Sequence, residues 1–358
     1  MNSSKLPAVA RREEPVATGA AGDVSRSGGG AAVSPPHPAR ARRREALPRL
    51  ATTYGVPAAL LVVIGVFSAL RPDAFATLDN AHAILTLAAP LAVAALGLTV
   101  VLIQEDFDIS FAATMGLAGA AAVVLMVETG APWALAALGG LGLGVLAGLV
   151  NGVLVSYTGL SSLVVTLAMS TVLIGVEYLF TDGTTVYGDI PEGFTALGQG
   201  EPVLGLNAQV LIAAGVVLGM YVYLEHTEAG RYQYAVGGNR EAARLSGIRV
   251  RFLRLLGFVI AASAAGLAGL MLTAQSASSS PTAGLPYLLP AFAAVFLGTT
   301  MFRQGRFNVL GTVVGVLLLG VVQTGLIMLQ LSTAVVNLVQ GGILIAAVLV
   351  ARLGERSR

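Results

Sequence analysis

The feature that most limits what this chain can become is a succession of long apolar stretches. After Arg49 they run 54–70, 83–103, 109–127, 132–155, 161–180, 207–224, 255–274, 285–302, 309–329 and 333–351. Each is roughly 17–24 residues, near the ~20 that an α-helix needs to cross a hydrocarbon core. Inside lipid a backbone must satisfy its own N–H and C=O groups, so such stretches read as helices. Composition agrees. The 358 residues are 55% hydrophobic and only 11% charged, with a mean hydropathy of +0.80. A soluble chain carries about 25% charged residues. So little charge argues against a soluble enzyme, a disordered tail protein or a nucleic-acid binder. The isoelectric point near 9.0 is expected of basic loops on one side of a membrane. The expected fold class is all-α, a polytopic membrane protein of about ten transmembrane helices. Pro90 lies inside 83–103, Asp108 opens 109–127, and Pro286 and Pro290 interrupt 285–302. These three are candidates for broken or re-entrant segments, because Pro frees a carbonyl that needs a partner within the protein.

Residues 1–50 form a separate region, a basic tail expected to be disordered and cytoplasmic. They hold nine of the 21 Lys and Arg, Gly28 to Gly30, Pro35, Pro36, Pro38 and the run Arg40 to Arg44, but no long apolar segment. Such a region buries no core. Its basic run reads equally as a topology anchor touching anionic lipid or as a solvated tail. Residues 51–358 form the membrane domain. With the N-terminus placed inside and ten spans alternating, 1–50, 226–254, 303–308 and 352–358 fall on the inner side. They contain twenty of the 21 basic residues, leaving Arg71 outside. That bias supports cytoplasmic termini. The chain has no Cys and only His37, His82 and His226, which leaves no thiol chemistry and little for a histidine metal centre.

Two local patterns stand out. Gly140, Gly144, Gly148 and Gly152 recur every four residues, and Gly311 and Gly315 repeat the spacing with Gly320 nearby. Small residues on one face let membrane helices approach closely. The basic loop 226–254 contains Gly237-Gly238-Asn239-Arg240-Glu241-Ala242-Ala243-Arg244-Leu245-Ser246-Gly247-Ile248. Asn239 suits an N-cap, 240–246 are helix formers, and Gly247 suits the left-handed position past a helix end. The expectation is a helix of about two turns, marginal alone in water. It rests on the protein's own base or on lipid headgroups, or docks in a partner.

This loop resembles the coupling loop of ribose/xylose-type sugar permeases of bacterial ABC importers, which carry Gly-Gly-Asn-x-x-Ala-Ala-x-x-Ser-Gly-Ile there. Further stretches agree: Asn151-Gly152 with Thr158-Gly159-Leu160 and Val165-Thr166-Leu167, Ser279 to Gly284 with Ala293 to Gly298, and Gly305 to Asn308 with Gly311-Thr312. The resemblance spans roughly 54–352. There are departures. Where the family shows Gly-Ile-Asp-Leu-Ser-Val-Gly, this chain has Asp106-Phe107-Asp108-Ile109-Ser110-Phe111-Ala112, with both glycines replaced, and Thr299-Thr300 stands where a Gly-Gly pair is frequent.

The resemblance implies an ABC-importer permease fold, a dimeric pore made with a second copy, a cytoplasmic ATPase and an extracytoplasmic solute-binding protein, all at the bacterial inner membrane. Asn239, Arg240, Glu241, Ala242, Ala243, Arg244, Leu245, Ser246 and Gly247 would then form the segment that sits in the ATPase. ATP would be used by that partner, and this chain would bind no cofactor and be no enzyme. In keeping with that, it has no Gly-rich phosphate loop ending in Gly-Lys-Ser/Thr.

Glu105, Asp106 and Asp108 cluster where the second and third spans meet. Charges at the bilayer centre cost about 2.5–3.5 kcal/mol each on insertion scales. The topology puts these at the inner edge, within reach of water, with Asp108 as a natural N-cap for 109–127. Asp106, Asp108 and Ser110 are also candidates for lining the inner mouth of a pathway. A proton-coupling site at 105–108 would instead make the chain an ion-coupled secondary transporter. Glu177, Gln275, Gln323, Asn337 and Gln340 read as inter-helix hydrogen-bonding residues.

Overall fold

The computed structural model describes residues 55–356 apart from 204, 303 and 304. The basic tail expected over 1–50 lies outside the described residues. Fourteen α-helices follow: α1 (Gly55–Leu70), α2 (Pro72–Phe75), α3 (Leu78–Ile103), α4 (Phe111–Thr129), α5 (Trp133–Thr158), α6 (Ser162–Thr181), α7 (Glu192–Gln199), α8 (Ala208–His226), α9 (Glu228–Gly238), α10 (Arg240–Leu245), α11 (Val250–Ser276), α12 (Leu288–Gly298), α13 (Val309–Met328) and α14 (Thr333–Arg356). A 3-10 turn, Leu285–Tyr287, leads into α12. Among the described residues the only β pairing is two isolated bridges, Val186 with Ser279 and Val203 with Leu206.

Each of the ten expected apolar stretches coincides with a helix, although not all ten have the length and hydropathy of a crossing among the described residues. Among the described residues seven helices are long and apolar enough to cross a membrane: α3, α4, α5, α6, α8, α11 and α13. The apolar helices Gly55–Leu70 and Leu285–Gly298 are shorter, as is the apolar part of α14, Thr333–Leu349. The Pro-rich stretch 285–302 does break, into the 3-10 turn and the eleven-residue α12. The stretch 83–103 does not. Its Pro90 sits inside an unbroken 26-residue helix and is buried.

The core forms around α3, α4 and α11. In α3 and α4, 83% of the apolar window is buried, against 17% in α8. Both are rich in Ala, with Gly97 in α3 and Gly116 and Gly119 in α4, as suits helices surrounded by other helices whose backbones come close. The α5 glycine stripe is the clearest case. A Cβ on Gly148 would lie 2.7 Å from the Phe258 carbonyl oxygen, and one on Gly152 2.9 Å from Leu255 Cα, both on α11. Gly140 meets the Ala118 carbonyl of α4. The second stripe does the same for α13, where Gly311 and Gly315 face Gly298 and Ala294 of α12. Side chains of α1, α12, α13 and α14 share a further apolar cluster around Leu297, Leu318, Val322 and Ala347.

The acidic stretch 181–206 contains a helix absent from the sequence reading. Phe194 of α7 is fully buried among Ala122, Met126, Ala136, Leu270 and Ala274, so α7 is tied to the ends of α4, α5 and α11.

Candidate functional site

The expected short helix forms as α10. Asn239 Oδ1 accepts the Ala242 N–H at 2.9 Å, as an N-cap does. At the other end Gly247 takes φ +83°, and the Ile248 N–H reaches the Ala243 carbonyl at 3.1 Å. Ala243 is the buried residue of α10, packed with Val236 of α9 and Leu253 of α11. Glu241, Ala242, Arg244, Leu245, Ser246 and Gly247 are exposed, Leu245 at 77%. The Glu241 carboxylate receives Arg244 Nη2 at 2.6 Å, and that bond holds it below the usual carboxylate range.

Arg240 points the other way. Its Nη2 donates to the Gln104 carbonyl at 2.7 Å and lies 3.3 Å from Asp106 Oδ1. The first residue of α10 is therefore fastened to the turn that ends α3. The preceding helix reaches the same turn. Gln233 of α9 accepts a hydrogen bond from Gln104 Nε2, which also donates to the Leu253 carbonyl at 2.8 Å. Gly237, at the end of α9, lies so close to the Ile103 carbonyl that a Cβ would collide with it.

Segment 104–110 departs from the sequence reading in its surroundings. Glu105 is exposed, in the left-handed region at φ +59°. Asp106 and Asp108 are not in reach of water: they are 2% and 0% exposed. Burying a carboxylate is tolerable only with partners. Asp106 has them, in a bidentate pair with Arg254 of α11 at 2.7 and 2.8 Å. Nor is Asp108 the residue directly before the helix. The helix α4 starts at Phe111, and Asp108 Oδ1 accepts the Ser110 N–H at 2.8 Å and its hydroxyl at 2.6 Å. Asp108 lies in the connection, outside both α3 and α4. Burial pushes its carboxyl up to about 6, opposed by the bonds from Ser110.

The rest of the segment is held by side chains. Phe107 N–H donates to Ser162 Oγ and Ile109 N–H to Thr166 Oγ1, each at 3.1 Å, and Asn151 Nδ2 donates to Ser110 Oγ at 2.8 Å. Asp108 Oδ2 and Asn151 Oδ1 are buried without a partner. Both acceptors beside Ser110 can take a hydrogen bond from a hydroxyl or a water, and the Asp108 carboxylate can also take a proton. Asp106 thus belongs with α10, whereas Asp108 and Ser110 belong to a separate polar cluster with α5 and α6.

Of the other polar residues, Gln340 Nε2 bonds Gln323 Oε1 at 3.4 Å between α14 and α13, as expected of an inter-helix bond. Glu177 instead holds a loop. It is fully buried, and its Oε1 accepts the Thr282 N–H at 3.0 Å. Sequence reasoning did not single out Arg254, Gln104 or Gln233. The one signal for Arg254 was a basic residue directly at the start of an apolar run.

The family model described as the branched-chain amino acid transport system permease component matches residues 80–348. The chain belongs to that permease family. Permeases of this family are transport subunits, and this one is no enzyme. Among its relatives, the ribose import permease protein RbsC of Escherichia coli K12 is 38% identical over 296 residues, covering 82% of this chain and 91% of the relative. The D-allose transport system permease protein AlsC of the same strain is 32% identical, covering 84% and 91%. The L-arabinose ABC transporter permease protein AraH of Azospirillum brasilense is 33% identical, covering 89% and 91%. No solved structure matches the permease significantly. The resemblance to sugar permeases read from the loop motif is borne out.

Proposed function

We propose that the chain is the membrane subunit of an ATP-driven, binding-protein-dependent importer for a monosaccharide or similar small polar solute. In this reading two copies form the pathway, an extracytoplasmic protein delivers the solute, and a cytoplasmic ATPase drives the cycle. Both termini and the loop 226–254 face the cytoplasm, in line with the distribution of the basic residues. The observation that carries the proposal is α10: six residues, capped at both ends, anchored through Ala243 and Arg240, and presenting the rest of its surface outward. A helix that short is not stable by itself. Held at its base and bare elsewhere, it suits insertion into a groove of another protein. The relatives' names supply the solute class, since ribose, allose and arabinose are all monosaccharides.

One observation favours the ion-coupled alternative: Asp108 keeps a buried oxygen without a partner, and burial pushes its carboxyl up to about 6. Asp106 is no candidate for that role, because two arginines hold it. The test is uptake of labelled ribose, arabinose and allose into proteoliposomes holding the permease, its ATPase and its binding protein. The expected result is uptake that needs ATP on the ATPase side and survives collapse of ion gradients. Uptake driven by a proton gradient without ATP would replace this reading with the ion-coupled one.

A further inference from the structure

The loop that carries α10 rests on α11 through Val236 and Ala243, bonds the Phe307 carbonyl through Tyr234, and meets the turn 104–106. Three contacts converge there: Gly237 against the Ile103 carbonyl, Gln233 on Gln104, and Arg240 on both the Gln104 carbonyl and Asp106. From that turn the chain runs directly into 107–110, whose bonds lead to α5 and α6. The turn is therefore a continuous covalent and hydrogen-bonded route from α10 to the polar cluster around Ser110.

The Asp106 carboxylate is shared unequally. Arg254 grips both oxygens at 2.7 and 2.8 Å, and its side chain is only 13% exposed. Arg240 reaches one oxygen at 3.3 Å, with its side chain 40% exposed. Arg240 Nε is buried and has no partner. An unmet donor on a guanidinium next to a carboxylate marks an incomplete arrangement. A small shift of α10 would let the Arg240 fork take Asp106 more fully, at the expense of Arg254. The segment beyond is suited to follow. The Phe107 and Ile109 N–H groups bond the hydroxyls of Ser162 and Thr166 in place of helical carbonyls, and hydroxyl partners can rotate.

We propose that Asp106, held between Arg254 and Arg240, is the joint through which movement of α10 is passed into segment 104–110. Asp106 is a positioning residue in this scheme and touches no transported solute. The inference rests on α10 being the ATPase-docking helix. It adds a two-state element whose equilibrium both ends bias, which is the physical requirement for coupling between distant sites.

Asp106→Asn is the obvious variant, but it leaves Arg254 buried without its counter-charge and endangers folding. Arg240→Gln removes only the tie to α10 and keeps the Asp106–Arg254 pair. The experiment uses the full permease–ATPase complex in lipid nanodiscs. Two things are measured for wild type and Arg240→Gln: ATPase retained on purification, and the change in amide hydrogen exchange at 104–110 on adding ATP with Mg²⁺. The proposal expects the variant to retain the ATPase and to lose the ATP-dependent change at 104–110, with sugar taken up per ATP hydrolysed falling about tenfold. Loss of the ATPase from the variant would make Arg240 a docking residue and overturn the joint. A variant that keeps both the ATPase and the wild-type response would overturn it as well. No ATPase bound to wild type would defeat the docking reading itself and the joint with it, a failure distinct from the other two.

Discussion

Asp106 and Arg254 are separated by 148 positions in sequence and lie in direct contact in the fold. Their pairing shows how a membrane protein keeps a buried charge: desolvation is met by a bidentate partner and by a second guanidinium close by. Removing one member of such a pair leaves the other uncompensated, at a cost of about 3–5 kcal/mol. Asp106→Asn should therefore lower the melting temperature of the detergent-purified permease sharply. Adding Arg254→Met should recover part of the loss, because apolar replacement of a buried pair is often close to neutral. A single mutant as stable as wild type would show that the pair is not buried as described. The pairing was not legible in the sequence. Glu105, Asp106 and Asp108 are alike as letters, and only the fold exposes the first, pairs the second with α11 and leaves the third beside Ser110.

Elements were legible where their signals were local. Asn239 before a run of helix formers and Gly247 after it define α10 within nine residues, and the structure closes both caps as the spacing requires. The glycine stripe of α5 likewise states its own use, although not its partner. Most of its contacts are with α11, and Gly140 and Gly144 also meet α4, at Ala118 and Thr114. This gives a contrast within one helix. A side chain at Gly148 would collide with the backbone of Phe258 and Val259, which cannot move aside, whereas Gly142 has no atom within 4 Å. Gly148→Leu should destabilise the permease by about 1–3 kcal/mol or more through overpacking, and Gly142→Leu should be tolerated. Thermal unfolding in detergent checks both, and equal effects would mean that the stripe is not the contact face. The amphipathic α7 was missed because its packing partners come from α4, α5 and α11, distant in sequence. The short α12 was anticipated, since Pro286 and Pro290 announce the interruption locally.

At the scale of the molecule, the all-helical membrane architecture followed from chain composition and the length of the apolar stretches. Among the described residues seven helices are long and apolar enough to cross, and the other expected stretches, Gly55–Leu70, Leu285–Gly298 and Thr333–Leu349, form apolar helices as well. In the proposed function, the exposed face of α10 is where an ATPase takes hold. Glu241 and Arg244 pair with each other on that face, fully in solvent, where an ion pair adds little to stability. Reversing the charge at Glu241 should leave the bundle folded and spoil the docking surface. The direct measurement is co-purification in detergent of the partner ATPase with wild type and with Glu241→Arg, each permease checked to be folded. The account predicts retention of the ATPase by wild type and its loss from the variant. Equal retention by both, or no ATPase with wild type when both subunits are folded, would contradict it.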